Sequence, residues 1–210
     1  MAKRQILMIH GGMTFKSDKD YLKWLQTRTI KLKQKMYWEA DLEKRLQDKF
    51  EILRPRMPLS ENAKYRDWRI MFERYLPLLR KDSILIGSSL GGIFLAKYLS
   101  ENQLPRAALS VYIVCAPFDD TLPTEDLAGG FKLKKDLSLI NESCKNLHIM
   151  FSADDDIVPV AHAEKYRTHL PEAHIGIYKN KRGHFTAPRF PEILKLIERE
   201  AGVNKPSTRR

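Results

Sequence analysis

Short apolar runs alternate with longer amphipathic stretches along nearly the whole of this 210-residue chain, and that alternation constrains the fold more than any other feature. The spacing predicts strands over 5–9, 51–54, 83–86, 107–114, 147–151 and 174–178. Helical periodicity fills most of the gaps: 21–50, 62–80, 91–100, 160–170 and 191–200, with 126–141 partly helical. In the second of these, Trp68, Phe72, Tyr75, Leu76 and Leu79 recur at steps of three and four, as one buried helix face requires. Strands that alternate with helices form right-handed crossover units, so the expected class is α/β: about six mostly parallel strands with helices on both faces. No linker divides the chain. Residues 1–201 read as a single domain without a separate cap, and 202–210 as a polar, fraying tail.

Composition excludes several classes. Hydrophobic residues make up 43% and charged residues 30%, a globular balance that leaves no room for wholesale disorder. No apolar run reaches the length of a membrane span. The first apolar run, Ile6 to Ile9, is too short for a signal-peptide core, so the expected compartment is the cytoplasm. Cys115 and Cys144 lack a CxxC spacing and read as buried free thiols. There is no HExxH, no cysteine pair and no nucleotide-binding glycine fingerprint, so neither a metal nor a cofactor is expected.

Three segments carry chemistry. Gly87-Ser88-Ser89-Leu90-Gly91 is a GxSxG placed between an apolar strand and a helix, which is the setting of a nucleophile elbow. In such a turn Ser89 projects from the strand end toward the dipole-positive start of the following helix. His10-Gly11-Gly12-Met13 follows the first strand, where a backbone N–H can join that of the residue after the nucleophile to hold an oxyanion; here these are Gly12 or Met13, with Leu90. A serine also needs a base and an orienting acid, which follow it in the order acid, then histidine. Asp154, Asp155 and Asp156 follow a strand, and Asp155 fits best because Pro159 stands four residues on. Asp154 is the second choice, and Asp119 and Asp120 are a further alternative. His184, in the loop after the last strand and beside Gly183, is the expected base.

Together GSSLGG, SADDDIVP and RGHF make the chain resemble the α/β-hydrolase superfamily, and its compact serine hydrolases of the retinoblastoma-binding-protein-9 and YdeN type in particular. The resemblance runs from Gln5 to about Glu200. It implies a truncated sheet, a Ser89–Asp155–His184 triad and hydrolysis of an ester-type bond in a small acyl substrate, with thioester and amide left open. The chain departs from that pattern over residues 16–50, a long basic insertion with Lys16, Lys19, Lys23, Arg28, Lys31, Lys33 and Lys35. It begins at the oxyanion turn, so part of it could overhang the site as a lid. Trp24 on that insertion and Phe131, beside Gly129-Gly130, are candidate substrate-binding side chains.

The net charge of +11 supports a competing reading, a non-catalytic binding protein on a hydrolase scaffold with an acidic protein or nucleic acid as its partner. Against nucleic acid, the basic residues beyond Lys35 are interspersed with acids and no recognised module is present. For an enzyme, the same charge leans toward an acidic substrate.

Overall fold

A computed structural model describes residues 2–30, 32 and 37–203, and shows one six-stranded, wholly parallel sheet in the order β2-β1-β3-β4-β5-β6. The strands are β1 (Arg4–Ile9), β2 (Phe50–Leu53), β3 (Ile84–Ser88), β4 (Ala108–Val114), β5 (Cys144–Ser152) and β6 (His174–Tyr178). The helices are α1 (Asp18–Thr27), α2 (Trp38–Leu46), α3 (Tyr65–Tyr75), α4 (Leu90–Glu101), α5 (Ile140–Ser143), α6 (His162–His169) and α7 (Pro191–Glu200). The six expected strands all form.

Alternate residues of the central strands enter opposite cores, because successive strand side chains point to opposite faces. Leu7, Ile9, Leu85 and Val111 pack with Trp68 and Phe72 of α3, Phe94 of α4 and Tyr166 of α6. Ile6, Met8, Ile84 and Ile86 pack with Trp38 and Leu42 of α2 and Ile193 and Ile197 of α7. Every residue of β4 is buried, as a central parallel strand covered on both faces demands.

The structure corrects two helical expectations. The 21–50 stretch is not one long helix: α1 ends at Thr27, α2 starts at Trp38, and the chain then enters edge strand β2. The Trp38 N–H donates to the Ala187 carbonyl, which pins α2 beside the loop after β6. Lys31, Lys33 and Lys35 lie outside the described residues, as does the tail from 204 on. The 126–141 stretch is mostly irregular, with only α5 helical at its end. Gly129 and Gly130 take φ of +67° and +88°, and the Gly129 carbonyl accepts the Tyr65 N–H at the start of α3. The left-handed pair turns the chain away from a helix to make this tie.

The turn from β3 into α4 is sterically closed. A Cβ on Gly91 would stand 2.4 Å from the Ile9 carbonyl oxygen, and one on Gly87 would stand 2.4 Å from the Gly91 oxygen. Both obstacles are backbone, so neither can swing aside. Gly91→Ala is therefore expected to cost about 2–3 kcal/mol or more, as overpacking against a fixed backbone does. Urea unfolding would check it; a loss below about 0.5 kcal/mol would contradict the close approach.

Candidate active site

Ser89 stands at the tip of that turn with φ 53° and ψ −120°, a conformation an L-residue holds only when its surroundings enforce it. The enforcement is visible: its N–H donates to the Val114 carbonyl at 2.8 Å, and its own carbonyl accepts the N–H groups of Gly92 and Ile93. Leu90 begins α4, so its N–H belongs to the first turn, where a helix offers no internal acceptor.

The neighbouring β1 turn is held by His10. The Met57 N–H donates to His10 Nε2 at 3.0 Å, which leaves the ring proton on Nδ1 to bond the Gly11 carbonyl at 2.6 Å. This histidine orders the turn. Of the two expected oxyanion donors here, Met13 is already engaged: its N–H donates to the Ser60 carbonyl at 2.8 Å, and its carbonyl accepts the Ala63 N–H. Its bonding to the 60–63 turn removes it from that role and leaves Gly12. A Cβ on the adjacent Gly11 would lie 3.2 Å from Ser89 Cβ, so the two turns are in contact.

The three aspartates after β5 divide their work. Asp155 is fully buried, and its Oδ1 accepts the N–H groups of Ile157 and Val158 at 3.0 and 2.9 Å. The same carboxylate meets His184 Nδ1 at 3.0 and 2.9 Å. Asp154 instead shapes the loop that carries the histidine. It accepts the N–H groups of Lys181 and Gly183 and the Ser152 hydroxyl, and although burial opposes its charge, these bonds hold its pKa down to about 2. Asp119 faces elsewhere, bound to Lys165 and Thr121, and Asp120 is exposed. His162 is buried and holds the 117–121 loop by accepting the Phe118 N–H.

His184 Nε2 is buried and has no hydrogen-bond partner. Burial disfavours charge on this ring, but the nearby Cys115 sulfur and the bonded Asp155 carboxylate outweigh it and raise the pKa above the usual histidine range. His184, Ser89 and Gly12 line one cavity of about 550 Å³. A smaller cavity of about 180 Å³ shares His10, Glu39, Arg54 and Ser88 with it and ends on Met8, Trp38 and Ile86.

Two carboxyls that sequence reasoning missed, Glu39 and Glu125, also line the larger cavity. Burial raises the pKa of each. Glu39 comes from the first turn of α2 and Glu125 from the long loop after β4, and neither sits in a motif that marks it. The apolar side of the site is likewise different from expectation. Phe131 is fully buried against Trp68 and Tyr65, so it is a core side chain and not a wall of the site. Trp24 packs with Phe15, Tyr21 and Arg28 and lines neither cavity. Beside Ser89 the apolar surface is made by Leu90, Leu122, Leu127 and Val158.

This arrangement has relatives. Over 144 residues the chain is 27% identical to the YdeN protein of Bacillus subtilis (strain 168), a match covering 66% of this chain and 75% of that one. The crystal structure of the B. subtilis ydeN gene product superposes with a TM-score of 0.76 at 22% identity, covering 95% of this chain and all of that one. A YdeN-like protein of Pectobacterium atrosepticum gives 0.62 at 18% identity over 96% and 94%, and the esterase domain of a Rhodothermus marinus protein 0.59 at 19% over 93% and 86%. The fold is therefore that of the α/β hydrolases, and among the described residues no separate cap is present. Residues 31–193 match the model of the serine hydrolase family, so the chain belongs to that family.

Proposed function

We propose that this hydrolase cleaves an ester-type bond in a small acyl substrate by a two-step acyl transfer at Ser89. The observation that carries the reading is the state of His184: Nδ1 is bonded to a buried Asp155, while Nε2 is unpartnered and shares a cavity with Ser89. In the acylation step His184 Nε2 takes the hydroxyl proton as Ser89 Oγ attacks the carbonyl carbon. The oxyanion rests on the N–H groups of Leu90 and Gly12, where the start of α4 adds its dipole. The imidazolium returns the proton to the leaving group. Water then attacks the acyl-enzyme with His184 again as base. Asp155 fixes the tautomer and stabilises the imidazolium without itself taking a proton.

The cavity bears on substrate charge. The net charge of +11 leans toward acidic substrates, yet the groups within reach of the scissile bond include Glu39 and Glu125, and Arg54 is ion-paired with Glu43 at 2.7 Å. Local charge dominates because interactions beyond about 10 Å are screened at ordinary ionic strength. Once ionised above their raised pKa, Glu39 and Glu125 favour a substrate that is cationic near the reacting carbonyl, and while burial keeps them protonated they favour a neutral one. No helix among the described residues is long and apolar enough to cross a membrane.

Three outcomes follow. Ser89→Ala and His184→Ala should each lower kcat/KM on a short p-nitrophenyl ester by about 10⁴-fold or more, and Asp155→Asn by about 10²–10⁴-fold; full activity in Ser89→Ala would remove the reading. On matched esters, Glu125→Gln and Glu39→Gln should narrow the preference for cationic over anionic substrates, with each charge contact worth a few-fold. A wild type that prefers the anionic ester would contradict the charge argument. Finally, only neutral His184 can accept a proton, and its pKa is raised, so kcat/KM should climb with pH beyond the ordinary histidine value of about 6.5. Cys115→Ala should move that limb to lower pH, and a limb unmoved by the substitution would contradict the assignment.

A further inference from the structure

Cys115 sits immediately after β4, 1% exposed and with φ of 43°, and no step of the proposed hydrolysis forms or breaks a bond to it. Its Sγ, a ring nitrogen of His184 and a carboxylate oxygen of Asp155 all lie within 4.8 Å of one another. A thiol, an imidazole and a carboxylate that converge in this way form the donor set of a d¹⁰ divalent cation. Two further observations suit a ligand. Asp155 is held by two backbone N–H groups, so one donor is fixed in place. His184 Nε2 is buried with no partner, and a turn of the ring would bring it toward the other two donors in place of the Nδ1 that is bonded to Asp155.

We propose that Cys115, Asp155 and His184 form an inhibitory binding site for a thiophilic divalent cation such as Zn²⁺. Tetrahedral coordination separates such donors by about 3.3–3.6 Å, so the set must close by about 1 Å, which turns of the thiol and the imidazole supply. The way in is short: Ser88 Oγ is 3.9 Å from the Cys115 sulfur, and Ser88 lines both cavities at the site. On binding, the thiol releases its proton to water, as does the His184 ring wherever it is charged, and the thiolate and carboxylate neutralise the dication. The cation then holds an imidazole lone pair and draws His184 out of the geometry that serves Ser89. Cation binding stands on these three residues alone, whereas inhibition rests on the hydrolase reading above.

The test is a titration of the full chain with Cd²⁺, followed by its ultraviolet thiolate-to-metal absorption, beside a Zn²⁺ titration of ester hydrolysis normalised to each variant's metal-free rate. One Cd²⁺ per chain is expected, with the absorption lost in Cys115→Ser and Cys115→Ala and kept in Cys144→Ser, whose thiol lies at the opposite end of the sheet. The half-inhibiting Zn²⁺ concentration should rise by about 10-fold or more in the Cys115 variants, the scale on which lost ligand support acts. Circular dichroism confirms that each variant is folded. Absorption that persists without Cys115, no absorption in the wild type, or unchanged Zn²⁺ inhibition in both Cys115 variants would overturn the proposal. If no ester is hydrolysed at all, the Cd²⁺ arm still decides the site, and the failure belongs to the hydrolase reading.

Discussion

The approach of α4 to the end of β1 is the contact on which the rest of this site depends. Gly91 lies so close to the Ile9 and His10 carbonyls that no side chain fits between them. That closeness brings the Leu90 N–H at the start of α4 beside the Gly11–Gly12 turn and forces Ser89 to φ 53° at the tip. A residue in that region costs about 1–3 kcal/mol, which the packing of β3 and α4 into both cores has to offset. The turn that strains the serine thus supplies one backbone donor, the Leu90 N–H, and packs against the β1 turn that carries Gly12.

On the other side of the site, neighbouring acids do unlike things. Asp154 spends its hydrogen-bonding capacity on the backbone of the 181–183 loop, and Asp155 spends its own on two amides and the His184 ring. The first sets where the loop runs, and the second sets how the imidazole is turned. Removing either would displace His184, but only loss of Asp155 would also remove the charge that favours an imidazolium. The nearby Cys115 sulfur also raises the proton affinity of His184, which couples the ring to a residue outside its own loop.

Much of this was legible in the sequence, for physical reasons. The six strands announce themselves as short apolar runs ended by turn residues, and the elbow as glycines flanking a serine between a strand and a helix. The preference for Asp155 rests on its spacing to Pro159, and its carboxylate accepts the amides of Ile157 and Val158 and meets His184 Nδ1. What was not legible depends on long-range packing. Whether Met13 or Gly12 has a free N–H is decided by the Ser60 carbonyl, 47 residues away in sequence. Phe131 looks like a loop aromatic until Trp68 and Tyr65 close over it. Glu39 and Glu125 reach the cavity from segments with no motif to mark them, and burial raises the pKa of each.

The central claim is that Ser89, and no other group in the chain, is an activated nucleophile. Mass-spectrometric mapping of the adduct left by a fluorophosphonate probe tests it most directly, since the probe phosphonylates a serine only where a base and an oxyanion site act together. The account predicts one adduct per chain, on the peptide carrying Ser89, with His184→Ala abolishing it. A folded chain that stays unlabelled, or an adduct on any other residue, would contradict it.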